Sequence, residues 1–119
     1  IAPCRTFVFL HELEKLIGRN LVKGGDLTNA IVFVNKNVSP EELDHIATFF
    51  KKPKVEVKEC GVLNNVELYF ENEPARHKLL DVIGDLSLVG KPIKGHVKAF
   101  KPGHFSNTAF ARIIKHTLL

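Results

Sequence analysis

Residues 73–85 read Glu-Pro-Ala-Arg-His-Lys-Leu-Leu-Asp-Val-Ile-Gly-Asp, so His77, Asp81 and Asp85 recur at steps of four. On a helix of about 3.6 residues per turn, such steps keep all three on one narrow strip. Leu79, Leu80, Val82, Ile83 and Leu86 fall on the other side, where they would face a core. A neutral imidazole and a carboxylate one turn apart project side by side and can hold the same cation. Zinc accepts such a nitrogen–oxygen pair and, in catalytic sites, keeps a position open for water. A solvated helix face with a His–Asp ion pair has the same spacing, and the pair alone favours that blander reading. Further along stands Pro102-Gly103-His104. Taken alone, His104 reads as a helix-start residue in solvent.

The strip needs a helix to carry it. Asn72 is placed to cap one running through Val89, with Gly90 and Pro92 to end it. Upstream, the apolar run Thr6 to Phe9 reads as a strand. His11 to Arg19 sets Leu13, Leu16 and Ile17 at helical spacing before the turn residues Lys23-Gly24-Gly25-Asp26. Ala30 to Val34 is a continuous apolar run, as in a buried strand. Strand, helix and strand make a small βαβ unit. Ser39-Pro40-Glu41-Glu42 combines an N-cap Ser, a first-position Pro and first-turn acids. The helix it opens would turn Leu43, Ile46, Ala47 and Phe50 inward. Lys51 to Lys58, broken by Pro53, reads as a basic connection. Val66 to Phe70 and Gly95 to Phe100 alternate like half-exposed strands, and Ser106 to Leu118 returns to helical period. These elements predict an α+β fold: a mixed sheet with two long helices packed on one face, plus a small βαβ insert at about residues 8–35. Residues 1–119 are expected to form a single domain.

Composition narrows the partners. The 119 residues are 45% hydrophobic and 25% charged, ordinary for a globular protein. Net charge is +4, yet Lys and Arg are scattered, and one Tyr without any Trp offers little for base stacking. A nucleic-acid partner is therefore not expected; a nucleotide diphosphate fits the charge equally well. No apolar run approaches the ~20 residues that span a bilayer, and no signal peptide is visible. A cytoplasmic protein without stable membrane insertion is expected. Cys4 and Cys60 are too few for a disulfide scaffold and read as reduced thiols. Because the sequence opens at Ile1 rather than Met, its true N-terminus is expected to be missing or processed.

The whole string is more specific than any zinc pair. Glu73-x-x-Arg76-His77-Lys78-x-x-Asp81-x-x-Gly84-Asp85, followed by Gly103-His104 and Asn107, closely resembles the zinc-dependent UDP-3-O-acyl-N-acetylglucosamine deacetylases. Arg5-Thr6-Phe7 and the stretch from Gly24-Gly25 to Ala30-Ile31-Val32 resemble the same family in the same order. The similarity is to the second, C-terminal of the family's two like domains, between which the active site lies. The resemblance implies an amidohydrolase that removes the N-acyl group of a UDP-sugar acyl substrate, the committed step of lipid A synthesis in Gram-negative bacteria.

It implies Zn2+ held by His77 and Asp81, with another His and a basic Glu from the first domain. The only neighbouring His and Glu here, His11-Glu12, stand in reverse order within a helix pattern. The fragment alone is therefore expected to be inactive, and the missing N-terminal domain is its implied partner. His104 would stabilise the oxyanion and protonate the leaving amine, and Asp85 would hold it charged and oriented. The Thr6 hydroxyl would donate to the developing negative charge. Phe7 would pack on the sugar; Lys78 and Lys101 would lie near the sugar and diphosphate. Leu10, Leu13, Val22, Gly25, Ala30 and Val32 would line a passage for the acyl chain, the role implied for the βαβ insert. Without the resemblance, Thr6 and Phe7 are strand and core residues, the lysines are surface charges, and the apolar set is a small core. Two alternatives stand beside this reading: a non-catalytic binding module, and the same domain within a fusion to a hydroxyacyl-carrier-protein dehydratase.

Overall fold

A computed structural model describes residues 1–19, 27–58 and 61–117. Its elements are β1 (Thr6–Phe9), α1 (Leu10–Gly18), β2 (Ala30–Phe33), α2 (Pro40–Phe49), α3 (Glu73–Ser87) and α4 (His104–Thr117). A two-stranded parallel sheet with four helices is consistent with an α+β fold. The chain divides into two compact units, one of Ile1–Cys4 with Ala75–Leu119 and the other of Arg5–Pro74.

In the Arg5–Pro74 unit, β1 and β2 pair from Thr6↔Ala30 to Phe9↔Phe33, with α1 as the crossover. The expected βαβ unit is present. Because successive side chains of a strand point to opposite faces, β2 buries both: Val32 joins a cluster with Leu10, Leu13, Leu27, Ile46 and Leu63, and Ile31 joins Val62 and Val66. Burial on both faces explains its unbroken apolar sequence. α2 starts as its residues dictate. The Ser39 hydroxyl accepts from the Glu42 N–H at 3.2 Å, and the Glu42 carboxylate accepts from the Ser39 N–H at 2.9 Å.

The same unit contains the buried first residue of α3, Glu73. The Glu73 carboxylate accepts from the Arg5 backbone N–H, Nε and Nη2, each at 2.9 Å, and from the Tyr69 N–H at 2.8 Å. The Arg5 guanidinium lies 4.1 Å from the centre of the Tyr69 ring. Hydrogen bonds from the Arg5 side chain outweigh burial, and with the two N–H donors they hold the Glu73 carboxyl at about 2.

In the other unit, α3 and α4 share a small cluster of Leu86, Val89 and Ala111, flanked by Val82 and Ile114. Gly90, at φ +76°, ends the α3 segment in the left-handed region that glycine enters without penalty.

Two expected strands are absent among the described residues: neither Val66–Phe70 nor Gly95–Phe100 forms one. Alternation records which side chains meet a core; a strand also needs a neighbouring backbone to receive its N–H and C=O groups. Val66 and Leu68 still pack into the Ile31 cluster, so the first segment keeps its burial pattern without pairing. Residues 95–100 are exposed throughout.

Candidate active site

The Ala75–Leu119 unit, with Ile1–Cys4, gathers the titratable residues around the polar strip of α3. His77 and Asp81 are one turn apart, with His77 Nε2 3.3 Å from Asp81 Oδ1 and side-chain exposures of 18% and 10%. His77 Nδ1 lies 3.0 Å from the Cys4 carbonyl oxygen. A carbonyl only accepts, so Nδ1 carries the hydrogen, and the second ring nitrogen, Nε2, faces Asp81. Orienting a ligating imidazole through its other nitrogen is a common feature of metal sites. Lys78 Nζ, 3.1 Å from Asp81 Oδ2, compensates the carboxylate from its far side. The nitrogen and oxygen donors suit zinc. They are two, and among the described residues no group of three or more His, Cys, Asp and Glu is arranged to hold a metal.

One turn beyond Asp81, Asp85 faces the start of α4. His104 Nδ1 lies 2.9 Å from Asp85 Oδ2 and 3.1 Å from Oδ1. The other ring nitrogen, His104 Nε2, is 3.8 Å from Asp81 Oδ1. His104 therefore stands between the carboxylate that orients it and the carboxylate proposed to hold a metal. Asn107, one turn into α4, donates its Nδ2–H to Asp85 Oδ2 at 2.9 Å. Burial pushes the Asp85 carboxyl up, but hydrogen bonds from Asn107 and His104, helped by charge on His104 and Lys78, leave it below the usual range. This arrangement can hold one cation and aim one imidazole at whatever the cation binds.

The other expected residues fall as follows. Lys101 is exposed, with its ammonium 5.5 Å from the Phe100 ring centre. It adopts φ +48° just before Pro102, a conformation uncommon for a residue with a side chain. In the Arg5–Pro74 unit, Thr6 is the exposed first residue of β1. Phe7 is half-buried and meets Phe33 edge-on at 5.8 Å. Leu10, Leu13 and Val32 come together in one apolar cluster, and Ala30 is half-buried at the start of β2. Val22 and Gly25 lie outside the described residues.

Three contacts escape sequence reasoning: the Cys4 carbonyl on His77, the Arg5–Glu73 pair, and Asn107 on Asp85. Only the last leaves a sequence trace, since Asn107 follows His104 by three residues and shares its helix face.

The family model described as UDP-3-O-acyl N-acetylglycosamine deacetylase matches residues 1–51 and 47–116. A Bacteroides thetaiotaomicron protein named bifunctional enzyme LpxC/FabZ is 50% identical over 112 residues, 94% of this chain and 24% of that protein. A Porphyromonas gingivalis protein of the same name is 47% identical over 115 residues, 97% of this chain and 25% of that one. A Chlamydia caviae protein named UDP-3-O-acyl-N-acetylglucosamine deacetylase is 42% identical over 118 residues, 99% of this chain and 34% of its own length. The chain thus spans a quarter to a third of these relatives.

Proposed function

We propose, from the premise that the chain belongs to the UDP-3-O-acyl N-acetylglycosamine deacetylase family, that it supplies part of a zinc-dependent hydrolytic site. The substrate is UDP-3-O-acyl-N-acetylglucosamine, and the reaction removes its N-acyl group. The observation that carries this reading is the convergence on Asp81, which has His77 Nε2 at 3.3 Å and His104 Nε2 at 3.8 Å. A bound zinc, held by His77 and Asp81, would supply Lewis-acid polarisation and a water of lowered pKa.

The chain's own residues supply the rest. His104 passes its Nε2 proton to the leaving nitrogen, since an amine departs poorly unless protonated. Asp85 keeps the hydrogen on Nδ1 and stabilises the imidazolium in the meantime. Thr6 donates its hydroxyl to the substrate carbonyl, and Phe7 packs on the sugar. Lys78 and Lys101 attract the sugar diphosphate. Leu10, Leu13, Val22, Gly25, Ala30 and Val32 accommodate the acyl chain. A third metal donor and a general base come from another part of a longer polypeptide. In this reading the 119 residues are the protein's second domain, with the insert at about 8–35, and the enzyme works in the cytoplasm. The fused form, paired with a dehydratase, is supported as a second reading by the higher identity to relatives named as bifunctional, 50% and 47% against 42%.

The test is acetate release from the UDP-sugar by the full-length polypeptide carrying this chain, with and without chelator. Activity should disappear with the metal, return with zinc, and be lost together with bound zinc in His77→Ala. Full activity in metal-free protein would refute the reading.

A further inference from the structure

The polar tie between α3 and α4 contains one more residue than the proposed chemistry uses. His104 has a side chain 68% exposed, so packing alone does not select its rotamer. Asp85 is 13% exposed and Asn107 is 9% exposed. The buried amide and the half-buried carboxylate form the rigid end of the contact, and the imidazole the loose end. Asp85 Oδ2 receives two donors at 2.9 Å, Nδ1–H of His104 and Nδ2–H of Asn107. A carboxylate has no hydrogen to give when ionised, so only the nitrogen of the Asn107 amide can face it. Asn107 itself is set by the backbone: its N–H donates to the Gly103 carbonyl at 2.9 Å in the first turn of α4.

We propose that Asn107 is a positioning residue, which fixes the plane of the Asp85 carboxylate and through it the direction in which His104 presents Nε2. The proposal rests on reading His104 as the general acid. Without the amide, the Asp85 side chain keeps its charge partner but loses the second anchor that defines its torsion. The imidazole then follows a carboxylate free to rotate, and Nε2 samples directions away from Asp81. A proton donor displaced by about 1 Å loses much of its effect, because rate depends steeply on approach geometry. The loss falls on turnover rather than on substrate binding, since Asn107 acts only through the acid.

The experiment uses the full-length polypeptide and Asn107→Leu, which keeps size and burial but removes the donor. Losing one hydrogen bond to a charged group predicts a fall of about 10- to 100-fold in kcat with KM nearly unchanged. In a His104→Ala background the same substitution should change kcat less than about twofold, because the residue through which it acts is gone. Proton and nitrogen NMR of the His104 ring gives a readout independent of turnover. The hydrogen-bonded Nδ1–H signal should be sharp in the wild type and exchange-broadened in Asn107→Leu. If Asn107→Leu does not fold, Asn107→Ala removes the amide without adding charge and is read in the same way. Unchanged kcat, or an equal loss with and without His104, overturns the proposal, as does an unaltered Nδ1–H signal. Near-normal turnover in His104→Ala alone would instead overturn the acid assignment, and the NMR signal would still decide whether Asn107 orients the ring.

Discussion

At the scale of single residues, the site is a set of paired side chains whose partners decide their chemistry. His77 has its Nδ1 tied to the Cys4 carbonyl and its Nε2 beside Asp81, whereas His104 has its Nδ1 tied to Asp85. The acceptor behind Nδ1, a carbonyl for His77 and a carboxylate for His104, puts the hydrogen on that nitrogen and fixes which way Nε2 is turned. In the proposed mechanism the two histidines take different roles, metal ligand and general acid. It follows that His104→Ala in the full-length polypeptide should lower kcat by about 10²–10⁴-fold while leaving bound zinc in place. Metal analysis beside acetate-release kinetics checks this, and lost zinc with retained turnover per bound metal would reverse the roles. Asp85→Ala should follow His104→Ala in kcat, and the double variant should be little worse than either single one.

At the scale of elements, α3 begins on a charge buried away from water. Glu73 is fully buried and Arg5 is 13% exposed, so removing one partner strands the other. Glu73→Gln is expected to cost about 3–5 kcal/mol of stability, read as a lowered urea midpoint. The pH dependence has a definite sign. The Glu73 carboxyl moves from an ordinary 4.5 down to about 2, so the unfolded chain binds its proton first as pH falls. The stabilisation, roughly 3 kcal/mol from a shift of that size, is complete above the unfolded value of 4.5 and lost as pH drops through about 2. Urea titrations at successive pH values should show this slope in the wild type, and it should be shallower in Glu73→Gln. Gly90→Ala should cost about 1 kcal/mol, because φ +76° is strained for any residue with a Cβ.

At the scale of the whole molecule, two metal donors do not complete a zinc site. The 119-residue chain by itself should therefore bind zinc weakly, in a manner abolished by His77→Ala or Asp81→Ala, and should release no acetate from the UDP-sugar. Calorimetry and an endpoint assay suffice. Tight stoichiometric zinc, or turnover by the isolated chain, would show that the third donor and base are not needed from elsewhere.

Local order was legible in the residues, because caps, periodicity and turn chemistry act over one or two helical turns. Ser39-Pro40-Glu41-Glu42 opened α2 as expected, Gly90 ended the long helical segment, and the spacing of His77, Asp81 and Asp85 placed all three on one strip. The apolar run at residues 30–33 announced a strand buried on both faces. What the residues could not announce was pairing across long separations. The alternation of residues 66–70 and 95–100 marked which atoms avoid water, and no local rule says whether another backbone lies alongside to make a strand. Likewise the acceptors behind His77 and His104, the Cys4 carbonyl and Asp85, lie 73 and 19 residues away along the chain. Such contacts depend on how helices and termini come together in space, so only the tertiary structure decides which acceptor each imidazole meets.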